Sequence, residues 1–558
     1  MWLFVWIADL LYDALIGLRN LVSLLRLRPT YVLLELSGPY PEHRARAPWW
    51  IRQPPSLEDL RQQLRQITVD RRVAGVVVTV RDLAAGLATI QSLRAALATY
   101  RAGGRRVVAY LTQASTRVYY LASVADAVVM PESGTLDLVG LTLEATFLGE
   151  AFERIGIVGE FEQIAEYKTA AEPFTRRAMS EPMREALNTI LDSVFDDLVG
   201  EVAFARKIDP AALRALVNTA PLPAREARDA GLVDAVLFED ELPQHLAAGR
   251  RRLPAILPWR LARRSLLRPF RWRRPGRAIA VIGVTGVIHV GESRPRRALP
   301  LPLLGGETTG NATIARAVRA VERDPRFGAI ILSVDSPGGS AVASDLIWRE
   351  LERAGRRKPV VAFLGNVAGS GGYYVAVGAR RIISQPATLT GSIGVVSGKF
   401  TVRGLAARAG IHREILGRGE ASTIFSPFMP FSPEERRRLR ARTVEIYDRF
   451  VDRVAAGRRM PREQVLAVAR GRVWTGRQAH QHRLIDALGD FTTAVEAAKE
   501  LMGVPASRSV PVIPIRPPQD VPVATRGLAM DISSVIGGIA ALLEEHVLTL
   551  MPWDLRLR

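Results

Sequence analysis

A serine set between glycines, where a strand-like run gives way to helical spacing, is the first place in this sequence where chemistry is legible. Gly369-Ser370-Gly371-Gly372-Tyr373-Tyr374 follows the apolar run 360–368. Small neighbours let a serine occupy a tight turn with its oxygen presented, and leave the N–H of Gly371 able to face an oxyanion. The logic is that of a nucleophile elbow, although the G-x-S-x-G spacing is not met. A second glycine turn, Asp335-Ser336-Pro337-Gly338-Gly339-Ser340, also stands between a strand-like and a helical stretch. Its N–H groups suit the same oxyanion, while Pro-Gly-Gly is equally an ordinary turn.

A serine hydroxyl needs a base. The seven histidines (His43, His245, His289, His412, His480, His482 and His546) stand in no setting that resembles a hydrolase triad. Lysine is rare: of 76 basic residues only those at 168, 207, 358, 399 and 499 are lysine, and the rest are arginine. Arginine keeps its proton inside a protein, whereas burial drives lysine toward a neutral amine. Lys168, in Glu166-Tyr167-Lys168-Thr169-Ala170-Ala171-Glu172-Pro173-Phe174, is the candidate base. The plain alternative is a loop lysine paired with Glu166 or Glu172. With no cysteine in the chain, disulfides, thiolate nucleophiles and Cys-ligated zinc are excluded, and the chemistry calls for no metal or cofactor.

The elements that must position these residues read as alternating strands and helices. Strand-like runs lie at 31–36, 75–80 and 105–111, with helical spacing over 56–67 and 181–207. The order then repeats: 279–288 matches 31–40, 328–340 matches 74–86, and 360–376 matches 107–122. This predicts two tandem α/β domains with largely parallel sheets, at 29–248 and 278–515. Aligning the tyrosine pairs sets Thr116 opposite Ser370 and Arg117 opposite Gly371, so the first copy has lost the permissive turn. In the second copy Glu420 or Ser422, depending on the alignment, falls opposite Lys168. One copy thus keeps the nucleophile and the other keeps the base.

Three segments fall outside the copies. Residues 1–28 are apolar but interrupted by Asp9, Asp13 and Arg19, which favours an interfacial or marginally spanning anchor with Trp2 and Trp6 at the boundary. If it spans, the arginines after it keep the following domain on the cytoplasmic side, so the side of the membrane stays open. Residues 249–277 read as a linker with eleven arginines, no acid, and Trp259, Phe270 and Trp272. Together with the net charge of +20 this suits phosphates, and the apolar N-terminus favours a lipid surface over nucleic acid. The tail, 516–558, carries an amphipathic stretch that reads as a helix.

Beyond these single features, EYKTAAEPFTRRAMS (166–180), VDSPGGSAVASDLI (334–347), VAGSGGYYVA (367–376), PATLTGSIGVVSG (386–398) and GRVWTGRQAHQHRLIDALGDF (471–491) together resemble the signal peptide peptidase A family in its long, tandem-domain form. That family lies within the Clp protease and crotonase superfamily. The resemblance implies a serine peptidase at a bacterial-type inner membrane that digests remnant signal peptides and other hydrophobic segments. It implies Ser370 as nucleophile and Lys168 as base, with Gly338, Gly339 and Gly371 at the oxyanion and Ser392 orienting the lysine. It further implies a bowl-shaped homotetramer in which the lysine of one subunit meets the serine of its neighbour. Two other readings use the same residues: a crotonase-type acyl-CoA enzyme, and a non-catalytic membrane scaffold.

Overall fold

The computed structural model describes residues 2–24, 29–44, 53–247, 252–268, 276–293, 307–515 and 547–550. The chain forms two compact units, Met1–Thr142 with Phe195–Gly276, and Leu143–Val194 with Arg277–Arg558. This division departs from the sequence boundaries at one informative place: the segment bearing Lys168 belongs to the second unit, along with Ser370.

In the first unit a parallel sheet runs in the order Ile256–Pro258, Tyr31–Leu36, Gly75–Val80, Arg106–Tyr110, Ala127–Met130, Ala235–Val236. Its strands are β-branched and apolar because helices cover the sheet. The helix expected over 56–67 is Leu57–Val69, and it starts where Ser56 and Asp59 form a reciprocal capping box. Within the stretch read as a linker, Ile256–Pro258 is an edge strand and Trp259–Ser265 is a helix, so this part is folded into the unit. Phe270 and Trp272 lie outside the described residues.

The N-terminal segment is a helix, Trp2–Leu24. Ile16 and Ser23 are buried, and Arg19 donates to the backbone oxygens of Leu266 and Arg263. Leu15, Leu18 and Val22, spaced along the other side of the helix, are exposed. Among the described residues no helix is long and apolar enough to cross a membrane.

The second unit repeats the parallel sheet in the matching order: Val512–Pro514, Ala278–Thr285, Phe327–Ser336, Val360–Gly369, Arg381–Ser384, Ala487–Leu488. Alternation across its central strands divides two cores. Ala280, Ile282 and Val284 face a cluster that includes Ile347 and Leu351, while Ile279 and Val281 face Phe491, Ala494 and Ala498. The copies also share a side-chain anchor: Tyr119 donates to the oxygen of Leu232 and Tyr373 to that of Leu484, each at 2.7 Å. The alignment of the tyrosine pairs is therefore structural as well as sequential.

A further sheet of the second unit runs Thr308–Gly310, Val287–His289, Gly338–Ser340, Val547–Leu550, Val395–Thr401, Val158–Ile164. Its fourth member comes from the tail. The helix expected in 516–558 falls on residues outside those described, and the described portion of the tail is this strand.

Candidate active site

One segment, Leu389–Thr401, acts as a ruler for the site. Its first part pairs with the end of the serine strand, Gly369 opposite Gly391. Its second part pairs antiparallel with Val158–Ile164 over seven residues, Val395 opposite Ile164. Ser370 follows the first pairing by one residue, and Lys168 follows the second by four. Between the pairings lie Ser392, Ile393 and Gly394, so the register of two ladders sets nucleophile and amine on either side of the same three residues.

Ser370 takes φ 53° and ψ −112°, a conformation of the kind that costs about 1–3 kcal/mol for a residue with a Cβ. Hydrogen bonds on both sides hold it: its N–H donates to the oxygen of Gly391, and the N–H of Tyr374 donates to its oxygen, both at 2.8 Å. Gly372 allows the turn to close, because a Cβ there would stand 2.6 Å from the oxygen of Ser336. In the first copy the corresponding turn is unstrained, with Ser115 at φ −68° capping a helix that starts at Thr116.

Lys168 is wholly buried, as are Ser370 and Ser392. Its Nζ lies 2.7 Å from Ser370 Oγ, 3.0 Å from Ser392 Oγ and 3.1 Å from the backbone oxygen of Ser392. Desolvation alone pushes its pKa well below the ordinary 10.5. The neighbouring acids are engaged elsewhere. Glu166 pairs with Arg470, and Glu172 accepts from Ser180 Oγ at 2.6 Å. The alternative of a loop lysine paired with one of them is thereby set aside. A neutral amine has two protons and one lone pair, which matches the three neighbours: two donated bonds to Ser392 and one accepted from the Ser370 hydroxyl. The only other acceptor within reach of that hydroxyl among the described residues is the oxygen of Gly394, at 3.5 Å. No histidine hydrogen-bonds Ser370 among the described residues.

The expectation that lysine and serine meet across a subunit boundary is corrected here, since both stand on one chain within hydrogen-bond distance. The pairing of Val158–Ile164 with Val395–Thr401 is the cause, because it folds the lysine segment onto the unit that holds the serine.

Gly371, first residue of the helix Gly371–Ala376, carries one of the N–H groups that helix geometry leaves without an intrahelical acceptor. Gly338 and Gly339 adopt φ +103° and +154°, and a Cβ on Gly339 would stand 2.0 Å from the oxygen of Ile288. The N–H of Gly338 donates to Ser336 Oγ at 3.1 Å, which commits it to that hydroxyl. Ser392 adopts φ 51°, with its N–H held by the oxygen of Arg472 at 2.8 Å.

Sequence reasoning missed two glycines that close over the lysine. A Cβ on Gly471, at φ +78°, would stand 2.5 Å from the backbone nitrogen of Lys168. A Cβ on Gly394 would stand 3.1 Å from Lys168 Cδ and 2.8 Å from Gly471 Cα. Both lie in motifs noted above, but a close approach between segments hundreds of residues apart leaves no local signal.

Such an arrangement supports acyl transfer: a buried hydroxyl, a desolvated amine that can accept its proton, and N–H groups beside the turn. The family model described as peptidase family S49 matches residues 100–251 and 352–505. The chloroplastic serine protease SPPA of Arabidopsis thaliana is 31% identical over 511 residues, covering 88% of this chain and 73% of that protein. Protease 4 of Salmonella typhi is 30% identical over 513 residues, covering 89% of this chain and 79% of that one. Protease 4 of Haemophilus influenzae is 31% identical over 421 residues, with coverage of 72% and 65%.

Proposed function

The chain belongs to peptidase family S49 and is a serine peptidase, and from that premise we propose that it works through a Ser370–Lys168 dyad on hydrophobic peptides at a membrane surface. The observation that carries the dyad is the 2.7 Å approach of Lys168 Nζ to Ser370 Oγ in a site where, among the described residues, the amine has no carboxylate partner. Neutral Lys168 takes the hydroxyl proton as Ser370 Oγ attacks the scissile carbonyl. The N–H of Gly371 faces the developing oxyanion, with Gly338 and Gly339 as further donors once a substrate displaces their present contacts. The protonated lysine returns its proton to the leaving amine, and then draws one from the water that cleaves the acyl-enzyme. Ser392 orients the amine through its carbonyl and hydroxyl oxygens.

Remnant signal peptides are the substrates that the family resemblance suggests. Membrane contact is supported by the exposed leucines on Trp2–Leu24, which suit a helix lying in the interface rather than crossing it. A homotetramer is the assembly the resemblance suggests, and equilibrium sedimentation tests it. Because one chain holds both dyad members, labelling per chain should not depend on protein concentration. The decisive experiment treats the folded chain with a fluorophosphonate probe and maps the adduct. Modification at Ser370 in the wild type, abolished in Ser370→Ala and cut by orders of magnitude in Lys168→Ala, is the expected result. Unchanged labelling of Lys168→Ala would refute the dyad. No adduct at all would favour a non-catalytic scaffold.

A further inference from the structure

A cavity of about 340 Å³ in the first unit is lined by Arg19, Arg263, Arg264 and Arg268. Among the described residues no acidic side chain lines it. Four guanidinium groups around one opening repel one another, and an anion held between them turns that repulsion into attraction. The guanidinium fork matches phosphate oxygens in pairs, so phosphate is the anion that this lining suits.

The backbone that carries these arginines is held from two sides. Arg19 donates to the oxygens of Arg263 at 2.9 Å and Leu266 at 3.2 Å, at the end of the helix Trp259–Ser265. One residue further on, Asn20 donates to the oxygen of Arg268 at 3.0 Å and accepts from its N–H at 2.9 Å. From within the unit, Arg72 donates to the oxygen of Ser265, and Asp70 accepts from the N–H of Leu267. Asp70 is itself paired with Arg72, so its charge is answered there. The stretch 263–268 is thus fixed against Trp2–Leu24, while Arg263, Arg264 and Arg268 are exposed.

The cavity stands at the margin of an apolar stripe. At about 100° per residue around the helix, Arg19 falls between the buried Ile16 and Ser23 and the exposed Leu15 and Val22. Leu18 and Leu21 continue the exposed side. A phosphate held by the arginines therefore has apolar side chains beside it that can receive acyl chains. We propose that Arg19, Arg263, Arg264 and Arg268 form a headgroup site for an anionic phospholipid, whose acyl chains lie along Leu15, Leu18 and Val22. Free inorganic phosphate shares the anion chemistry but has nothing to place on that stripe. The proposal deepens the membrane-surface part of the function and rests on it, and it is independent of the dyad.

The test sediments the full chain with vesicles of phosphatidylcholine alone, or with phosphatidylglycerol as about a third of the lipid. The wild type should bind the anionic vesicles at least about tenfold more tightly than the neutral ones. Arg263→Gln, Arg264→Gln and Arg268→Gln together should remove at least about tenfold of that affinity. Arg19 stays in place because it holds the helix. Arg268→Gln alone, the milder change, should remove about threefold, and it decides the matter if the triple variant fails to fold. A control with Arg349→Gln, Arg356→Gln and Arg449→Gln, exposed positions in the second unit, loses the same charge and should stay within about twofold of the wild type. Equal losses in the control and the triple variant would overturn the site, since net charge alone would then account for binding. Equal binding of the wild type to both kinds of vesicle would also overturn it and leave the membrane reading standing, whereas binding to neither would defeat both. Calorimetric titration with inorganic phosphate separates the two sources of the anion. Saturable phosphate binding that the triple variant loses, without a preference for anionic vesicles, would give the cavity to a free anion and refute the lipid site.

Discussion

Replacing Lys168 by methionine isolates the free energy of burying an amine. Methionine keeps an unbranched stem of similar length and removes the ionisable end. In the unfolded chain the lysine titrates near 10.5, whereas burial lowers its folded pKa well below that. Between the two values the unfolded chain binds more protons, so the wild type gains stability as pH rises, by about 1.4 kcal/mol per pH unit. At any pH where the fold holds the amine neutral while the unfolded chain would protonate it, its burial opposes folding. The methionine variant lacks this term. It also loses the two bonds donated to Ser392 and the one accepted from Ser370, each contributing about 0.5–1.5 kcal/mol. Those losses shift the difference between the chains but add little pH dependence, since serine does not titrate in this range. Urea unfolding of both chains at about pH 8 and about pH 9.5 should therefore show the wild type gaining stability on the variant, by at most about 2 kcal/mol. A difference that stays constant, or that moves in the variant's favour as pH rises, would refute the neutral buried lysine.

The same lowered pKa predicts that fluorophosphonate labelling of Ser370 rises with pH and levels off well below 10.5; a rate still climbing there would mean the lysine titrates normally. Lys168→Arg should be as inactive as Lys168→Ala, because arginine cannot give up its proton, and measurable cleavage by it would remove the general-base role. Ser392→Ala takes away one acceptor 3.0 Å from the amine and leaves the carbonyl, so kcat/KM should fall about tenfold with little change in stability. Gly394→Ala sets a methyl group 3.1 Å from Lys168 Cδ, and should cost about 1–3 kcal/mol of stability along with a marked loss of kcat, read by unfolding and by single-turnover kinetics.

The candidate site was legible wherever a residue type is informative on its own. Adjacent glycines at strand-to-helix junctions mark turns that need positive φ, and Ser370, Gly338 and Gly339 all adopt it. Lys168 stood out because an arginine-rich chain seldom writes lysine, and it is among the largest fully buried side chains. The tandem copies were legible because strands and helices recur in one order. Misreadings came where the answer lay in pairing between distant segments. Ile256–Pro258 is too short and too deep in arginines to read as a strand, yet it closes the first sheet as Val512–Pro514 closes its counterpart. Gly394 and Gly471 carried no sign of their contact with the lysine.

By itself, then, the sequence determined the chemistry available and the repeated α/β units, because turn geometry, apolar periodicity and the acid–base character of a side chain are properties of short stretches. Only the tertiary structure decided that Lys168 and Ser370, 202 residues apart, meet within one chain, and that Val547–Leu550 pairs as a strand with Gly338–Ser340. Both outcomes depend on strand register across long separations, where one chosen ladder brings each side chain to its place and a slip of one residue would turn it away.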